Sequence, residues 1–222
     1  MMNSLPIILC IETSNEICSV AIARGQELIS IRESNEKNSH AQNINLFIAE
    51  VLDESALVSK DVSVVAVSAG PGSYTGLRIG VSSAKGFCFA NEVPLIAVNT
   101  LEAMLCSMKK NIFRAALIHA RQTEFYCSAI NSKEKIIYNN ELVLSGQNVF
   151  PKDEPIFITS TNLKITCDNF LLPNISFIDG FFLSAKHLIH PAYEKLVKKD
   201  FEDLAYFEPN YIKPVHISKN CV

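Results

Sequence analysis

The chain of 222 residues contains no Trp, no CxxC pair, no Gly-Lys-Ser/Thr sequence, and neither an HExxH nor a GxSxG motif. Each gap removes a class of function. Without Gly-Lys-Ser/Thr there is no Walker phosphate loop, without HExxH no zincin-type metallopeptidase, and without GxSxG no hydrolase elbow. The seven Cys (Cys10, Cys18, Cys88, Cys106, Cys127, Cys167 and Cys221) are odd in number and scattered through apolar runs. They read as reduced core residues of a cytoplasmic protein rather than as a zinc or dithiol centre. The apolar runs around Ile7 to Ile11 and Val62 to Ala69 fall far short of the ~20 residues of a membrane span. The amino terminus has no basic region and no small-residue cleavage site, so neither a membrane segment nor a secretory leader is expected. Positive charge is also scarce. With 20 Lys+Arg against 23 Asp+Glu and a net charge of -3, the chain has no basic arm with which to hold nucleic acid by its own field.

What remains is a globular chain, 48% hydrophobic with 13 Phe, large enough for one domain or two small ones. Ile7 to Ile11, Ile17 to Arg24 and Glu27 to Glu33 are β-rich runs separated by turn residues, which predicts an antiparallel meander. Ser39 is placed to cap a helix running to about Ala56, whose apolar stripe includes Ala41, Ile44, Phe47, Ile48, Val51 and Leu52. Val62 to Ser68 reads as a strand covered on both faces. A helix to about Asn91, a strand over Pro94 to Asn99 and a helix capped by Thr100 follow, giving the order βββαβαβα. Shifting the chain by 109 residues lays Cys18-Ser19-Val20-Ala21 on Cys127-Ser128-Ala129-Ile130, which predicts a duplicated unit. The expected division is a first lobe over 1–105, a second and degraded lobe over 106–200, and a tail over 201–222 packing on the body. In the second lobe Pro151, Pro155 and Pro173 interrupt the pattern, and only 183–199 reads clearly as helix.

The segment Ser68-Ala-Gly-Pro-Gly-Ser-Tyr-Thr-Gly-Leu-Arg-Ile-Gly80 leaves a buried strand and opens a helix. Its Gly70, Gly72, Ser73, Thr75 and Gly76 suit either an anion cradle near a positive helix end or a tight turn without a ligand. The hairpin loop Glu12-Thr13-Ser14 offers an acid and amides beside it, and its repeated copy Arg121-Gln122-Thr123 carries a base in place of the acid. His187 and His190 form an HxxH pair without a third ligand and read as surface residues. Lys195, Lys198 and Lys199 suit the negative end of their helix. The helix after Gly76 is kept small by Gly80, Ser82, Ser83, Ala84 and Gly86, which lets another helix approach.

Taken together, ILCIETSNEICSVAI, SHAQNI, VSVVAVSAGPGSYTGLRIGVSSAKGF, VPLIAVNTLEAM and HARQTEFY resemble the TsaB family of tRNA threonylcarbamoyladenosine biosynthesis proteins. The resemblance runs from residue 7 to about 130, with EPNYIKP near the end similar to the family's tail. It implies an α/β actin-like (ASKHA) fold of two RNase H-like lobes with mixed sheets flanked by helices, the second lobe reduced. It also implies a non-catalytic scaffold subunit with no cofactor or metal of its own. Such a subunit partners the transferase TsaD and the ATPase TsaE, reaches tRNA through those partners, and forms a homodimer when alone. On this reading the partner interface is Ile44, Phe47, Ile48, Val51, Arg78, Ser82 and Lys85. The rival reading from the residues is an active actin-like ATPase or small-molecule kinase using Glu12, Thr13 and the Gly70 to Gly76 loop. The chain departs from the family pattern at His119, where relatives commonly carry Asp, and at Lys213, where the tail often has Arg.

Overall fold

Runs of β-branched and aliphatic residues broken by short polar turns build the first sheet. A computed structural model describes residues 5–36, 39–147 and 149–211. The first half contains β1 (Ile7–Glu12), β2 (Cys18–Arg24), β3 (Glu27–Ser34), α1 (His40–Glu54), β4 (Val64–Ser68), α2 (Tyr74–Asn91), β5 (Leu95–Val98) and α3 (Thr100–Cys106). The order is the one the pattern predicts. The second half contains β6 (Phe113–Arg121), β7 (Glu124–Ile130), β8 (Ile136–Leu144), β9 (Ile156–Ser160), α4 (Leu163–Asn169), β10 (Ile175–Phe177), a 3-10 turn (Ala185–Leu188) and α5 (Ile189–Lys198).

The two sheets have the same design. The first has the order β3-β2-β1-β4-β5 and the second β10-β9-β6-β7-β8. In each, the three meander strands are antiparallel and the two later strands run parallel to the first. A uniform shift does not superpose them, because the loop between β1 and β2 spans Thr13 to Ile17 whereas β6 and β7 are joined by Gln122 and Thr123 alone. No helix occurs among the described residues of 145–155, where α1 has its place in the first half. Pro151 and Pro155 lie in that stretch and oppose helix.

Three apolar layers follow. One face of the first sheet, with Leu9, Ile11, Val20 and Val67, packs under α1 and α2. Its other face, with Ile8, Cys10, Ala66 and Ile96, shares a core with α3, the 3-10 turn, α5, and Ala116 and Ile118 of β6. The helices α3 and α5 therefore lie between the sheets: α3 contacts β6 and β7, and α5 contacts β1, β4 and β5. Phe113, Leu117, Phe125, Phe150 and Phe170 form the third layer on the far face of the second sheet.

Several local expectations need correcting. Asn99, not Thr100, caps α3: its side-chain oxygen accepts from Leu101 N and Glu102 N. Ser39 stands at the cap position of α1, but its hydroxyl donates backward to Glu36 O at 2.7 Å. The segment 183–199 opens as a 3-10 turn before α5, and α4 was not anticipated. Cys10, Cys18, Cys88 and Cys127 are buried as expected, whereas Cys106 is exposed.

Beyond α5 the chain returns along the first lobe. Glu202 N donates to Leu95 O at 2.9 Å and Asn210 N to Ala69 O at 2.7 Å, while Leu204 and Phe207 pack against the α1–α2 core. Residues 212–222, with Lys213 and Cys221, lie outside the described residues. Among the described residues no helix is long and apolar enough to cross a membrane.

Candidate functional site

Glu12 ends β1 opposite Ser19 of β2, and Ser68 ends the neighbouring β4. Paired strand residues share a face, so these three side chains point the same way as Cys10 and Ala66, toward the layer between the sheets. Glu12 has no exposed surface. Its Oε1 accepts from Ser14 N at 2.6 Å and from Asn15 Nδ2 at 3.4 Å. The Asn15 amide also donates to Leu183 O at 3.2 Å, and Ala185 N donates to Ser19 Oγ at 3.1 Å. A polar seam thus ties the first hairpin to the segment that leads into α5. Glu12 Oε2 and the Ser68 and Ser184 hydroxyls have no partner of good geometry among the described residues. Burial pushes the Glu12 carboxyl up from the ordinary carboxylate range, and the adjacent Ser14 and Ser68 hydroxyls only partly oppose it.

The glycine loop closes against this hairpin. The Gly70–Pro71 peptide is cis, and Gly70 has φ +102°, a conformation that favours glycine. A Cβ at Gly70 would meet Asn210 O at 2.7 Å. At Gly72 the added atom would meet the backbone of Ser14, and at Gly76 the carbonyl of Thr13. Two of the loop amides are used within the chain: Ser73 N donates to Ser14 O at 2.7 Å, and Gly76 N to Ser73 Oγ at 3.2 Å. Thr13 Oγ1 in turn donates to Gly76 O at 2.8 Å. Of the candidate anion loop, Glu12, Thr13, Ser14 and Gly76 are buried, Gly70 is buried with them, Gly72 is half-buried, and Ser73 and Thr75 are exposed. The glycines give space for two loops to interlock.

The expected partner interface divides. Ile44, Phe47, Ile48 and Val51 are buried in the α1–α2 core, which corrects their reading as contact residues: the stripe faces its own sheet. Lys85 is likewise occupied, its Nζ donating to Ala205 O at 3.2 Å and Phe207 O at 3.1 Å. Arg78 and Ser82 are exposed, with the Arg78 guanidinium 4.5 Å from the centre of the Tyr74 ring. With Gly86 and Phe89, the latter 81% exposed, they share one outward face of α2 at near-helical spacing.

Between the lobes lies a cleft of about 1350 Å³. Ser14, Asn15 and Glu16 line it together with Arg121, so the two hairpin turns do meet one space. Arg121 pairs with Glu124 at 3.3 Å. His119 stays within its own hairpin, one ring nitrogen 3.0 Å from Gln122 O and the ring 5.2 Å from that of Phe125. Tyr74, Phe181, Phe182 and Tyr211 complete much of the wall. Sequence reading missed these aromatics because they come from distant segments that only the fold assembles. The HxxH pair splits: His187 Nδ1 accepts from Ser184 N at 3.0 Å, while His190 lies 3.5 Å from Glu194. Burial holds His187 down at about 4. Lys195 is not a free surface cation, since its Nζ donates to Ala97 O at 2.8 Å. Among the described residues no group of three or more His, Cys, Asp or Glu is placed to hold a metal ion.

Comparison with known proteins places this geometry. The family of TsaD, tRNA N6-adenosine threonylcarbamoyltransferase, matches residues 28–152. The tRNA threonylcarbamoyladenosine biosynthesis protein TsaB of Haemophilus influenzae is 32% identical over 136 residues, 61% of this chain and 53% of that protein, so the match spans about half the relative's length. TsaB of Bacillus subtilis is 25% identical over 219 residues, 93% of each chain. Two Pseudomonas aeruginosa structures share the fold. YeaZ has a TM-score of 0.79 at 22% identity, covering 94% of this chain and 100% of that one. An uncharacterized protein with similarity to peptidase YeaZ has a TM-score of 0.82 at 20% identity, with the same coverage. The architecture is the actin-like α/β fold, and the chain belongs to the family of the tRNA N6-adenosine threonylcarbamoyltransferase TsaD as one of its TsaB-type members.

Proposed function

We propose that this protein is a non-catalytic accessory subunit in the transfer of threonylcarbamoyl to the adenosine beside the tRNA anticodon. It docks on a TsaD-type transferase and works with the ATPase TsaE in the cytoplasm. The observation that carries the accessory role is the closure of the glycine loop on the first hairpin. A phosphate needs free amides and room, yet the Ser73 amide is bonded to Ser14 O and the faces of Gly72 and Gly76 are filled by the backbone of Ser14 and Thr13. The acid that an actin-like ATPase would offer to a metal, Glu12, is fully enclosed. These features weigh against the ATPase or kinase reading.

The outward face of α2, with Arg78 and Ser82, is the contact surface. Its small central residues let a partner helix approach closely, and exposed Phe89 supplies apolar area. Alone in solution, the same face closes a homodimer. With a net charge of -3, the subunit leaves tRNA to its partners.

A reconstituted modification assay tests this. Formation of threonylcarbamoyladenosine by the transferase and ATPase falls when the subunit is omitted and returns when it is added. Undiminished modification without it contradicts the proposal, as does tight ATP binding by the subunit alone that Gly72→Val abolishes.

A further inference from the structure

The interlobe cleft has no assigned role, and the charge of its described lining is one-sided. Among the described residues, Glu16, Glu33, Glu36 and Glu124 line it with one Arg and no Lys, a formal sum of -3 for that lining. Glu16, Glu33 and Glu36 are exposed. They come from the first hairpin and the end of β3, so they gather on the first-lobe side. Such a wall repels phosphate. Nucleotides and nucleic acid are therefore the wrong charge for it, despite the superficial fit of a cleft between two lobes.

Five aromatic residues share the wall: Tyr74, Tyr126, Phe181, Phe182 and Tyr211. Tyr211 lies 5.0 Å from Tyr74, centre to centre, and Phe182 is 67% exposed. Rings attract cations over their faces, and this wall already shows the interaction, with the Arg78 guanidinium 4.5 Å from the Tyr74 centroid. Acids and rings in one cleft are the combination that holds Arg and Lys side chains, whose charged ends pair with carboxylates while their stems and planes lie on rings. The volume, about 1350 Å³, exceeds the roughly 300–1000 Å³ of a small-molecule pocket. It suits several residues of extended chain.

We propose that the cleft is a docking site for a basic, extended segment of a partner protein, distinct from the α2 face. Glu16, Glu33 and Glu36 pair with its Arg or Lys side chains, and Phe182 and Tyr211 cover their stems.

The test is a fluorescence-anisotropy titration of the full chain with a labelled alternating Arg-Ala octapeptide. Its Glu-Ala counterpart and ATP serve as comparators. The basic peptide is expected to bind, more weakly as salt rises. Reversing Glu16→Arg and Glu36→Arg together should weaken it by about tenfold or more. Reversing Glu27→Arg and Asp53→Arg, exposed acids at the opposite ends of β3 and α1, should change it less than about twofold if the cleft is the site. Phe182→Ala, a truncation of an exposed ring that leaves the core intact, should weaken binding without shifting the thermal midpoint. Equal loss in both charge-reversed pairs overturns the proposal, because attraction is then general. Absence of binding by the basic peptide, or preference for the Glu-Ala peptide or ATP, overturns it as well.

Discussion

Thr13 and Gly76 are held together twice, across 63 positions of sequence. The Thr13 hydroxyl donates to Gly76 O at 2.8 Å, and the Thr13 carbonyl occupies the space that a Cβ on residue 76 would need. This pair fixes the start of α2 against the first hairpin. The outward face of α2 therefore depends on a contact at the helix's other side.

Gly76→Ala should be costly, because backbone rather than a flexible side chain meets the new methyl. We expect a loss of roughly 3 kcal/mol. Gly86, ten residues along the same helix, has nothing within 4 Å of an added Cβ. There Gly→Ala should stabilise by about 0.5–1 kcal/mol through helix propensity. Urea unfolding of both variants checks the contrast, and equal effects would show that the clasp is soft.

The stripe on α1 separates core from surface in the same way. Phe47 is 9% exposed and Leu46, its neighbour, 53%. Phe47→Ala should cost about 3–5 kcal/mol, whereas Leu46→Ala should stay within about 0.5 kcal/mol. Denaturant midpoints distinguish the two.

Acid should weaken the fold through His187. Burial lowers its value from 6.5 to about 4, so between those limits the unfolded chain binds more protons than the native one. Stability therefore declines as pH falls from 6.5 to 4, on the order of 1–3 kcal/mol from this residue. Glu12 acts in the opposite sense: its carboxyl is raised, and the native state takes up that proton first. His187→Gln should flatten the 6.5-to-4 portion of the stability curve, measured by unfolding at a series of pH values. An unchanged slope would remove His187 from the account.

Much of the first lobe was legible because its signals are local. Continuous apolar runs marked β1 and β4, and the Gly-rich turn between β4 and α2 marked the crossover. The α1 stripe was equally visible, yet periodicity reports that a face is covered without saying by what. Ile44 and Val51 therefore looked like contacts and are core. The second lobe carries weaker signals. Exposed Ile136, Leu142 and Leu144 on β8 blur its alternation, and α4, at seven residues, is too short to show a period. The cleft was not legible at all, since Tyr74, Phe182 and Tyr211 become neighbours only when the lobes and the returning tail are in place.

The most direct measurement is the yield of complex after co-expression with the transferase paralogue, read by sizing, for the native chain and for Ser82→Trp. Ser82 is exposed in the middle of the α2 face, so the indole should obstruct a partner while leaving the fold intact. The native subunit is expected to co-elute with the transferase, and Ser82→Trp to lose the complex with an unchanged unfolding midpoint. Recovery of Ser82→Trp in complex at the native yield would contradict it.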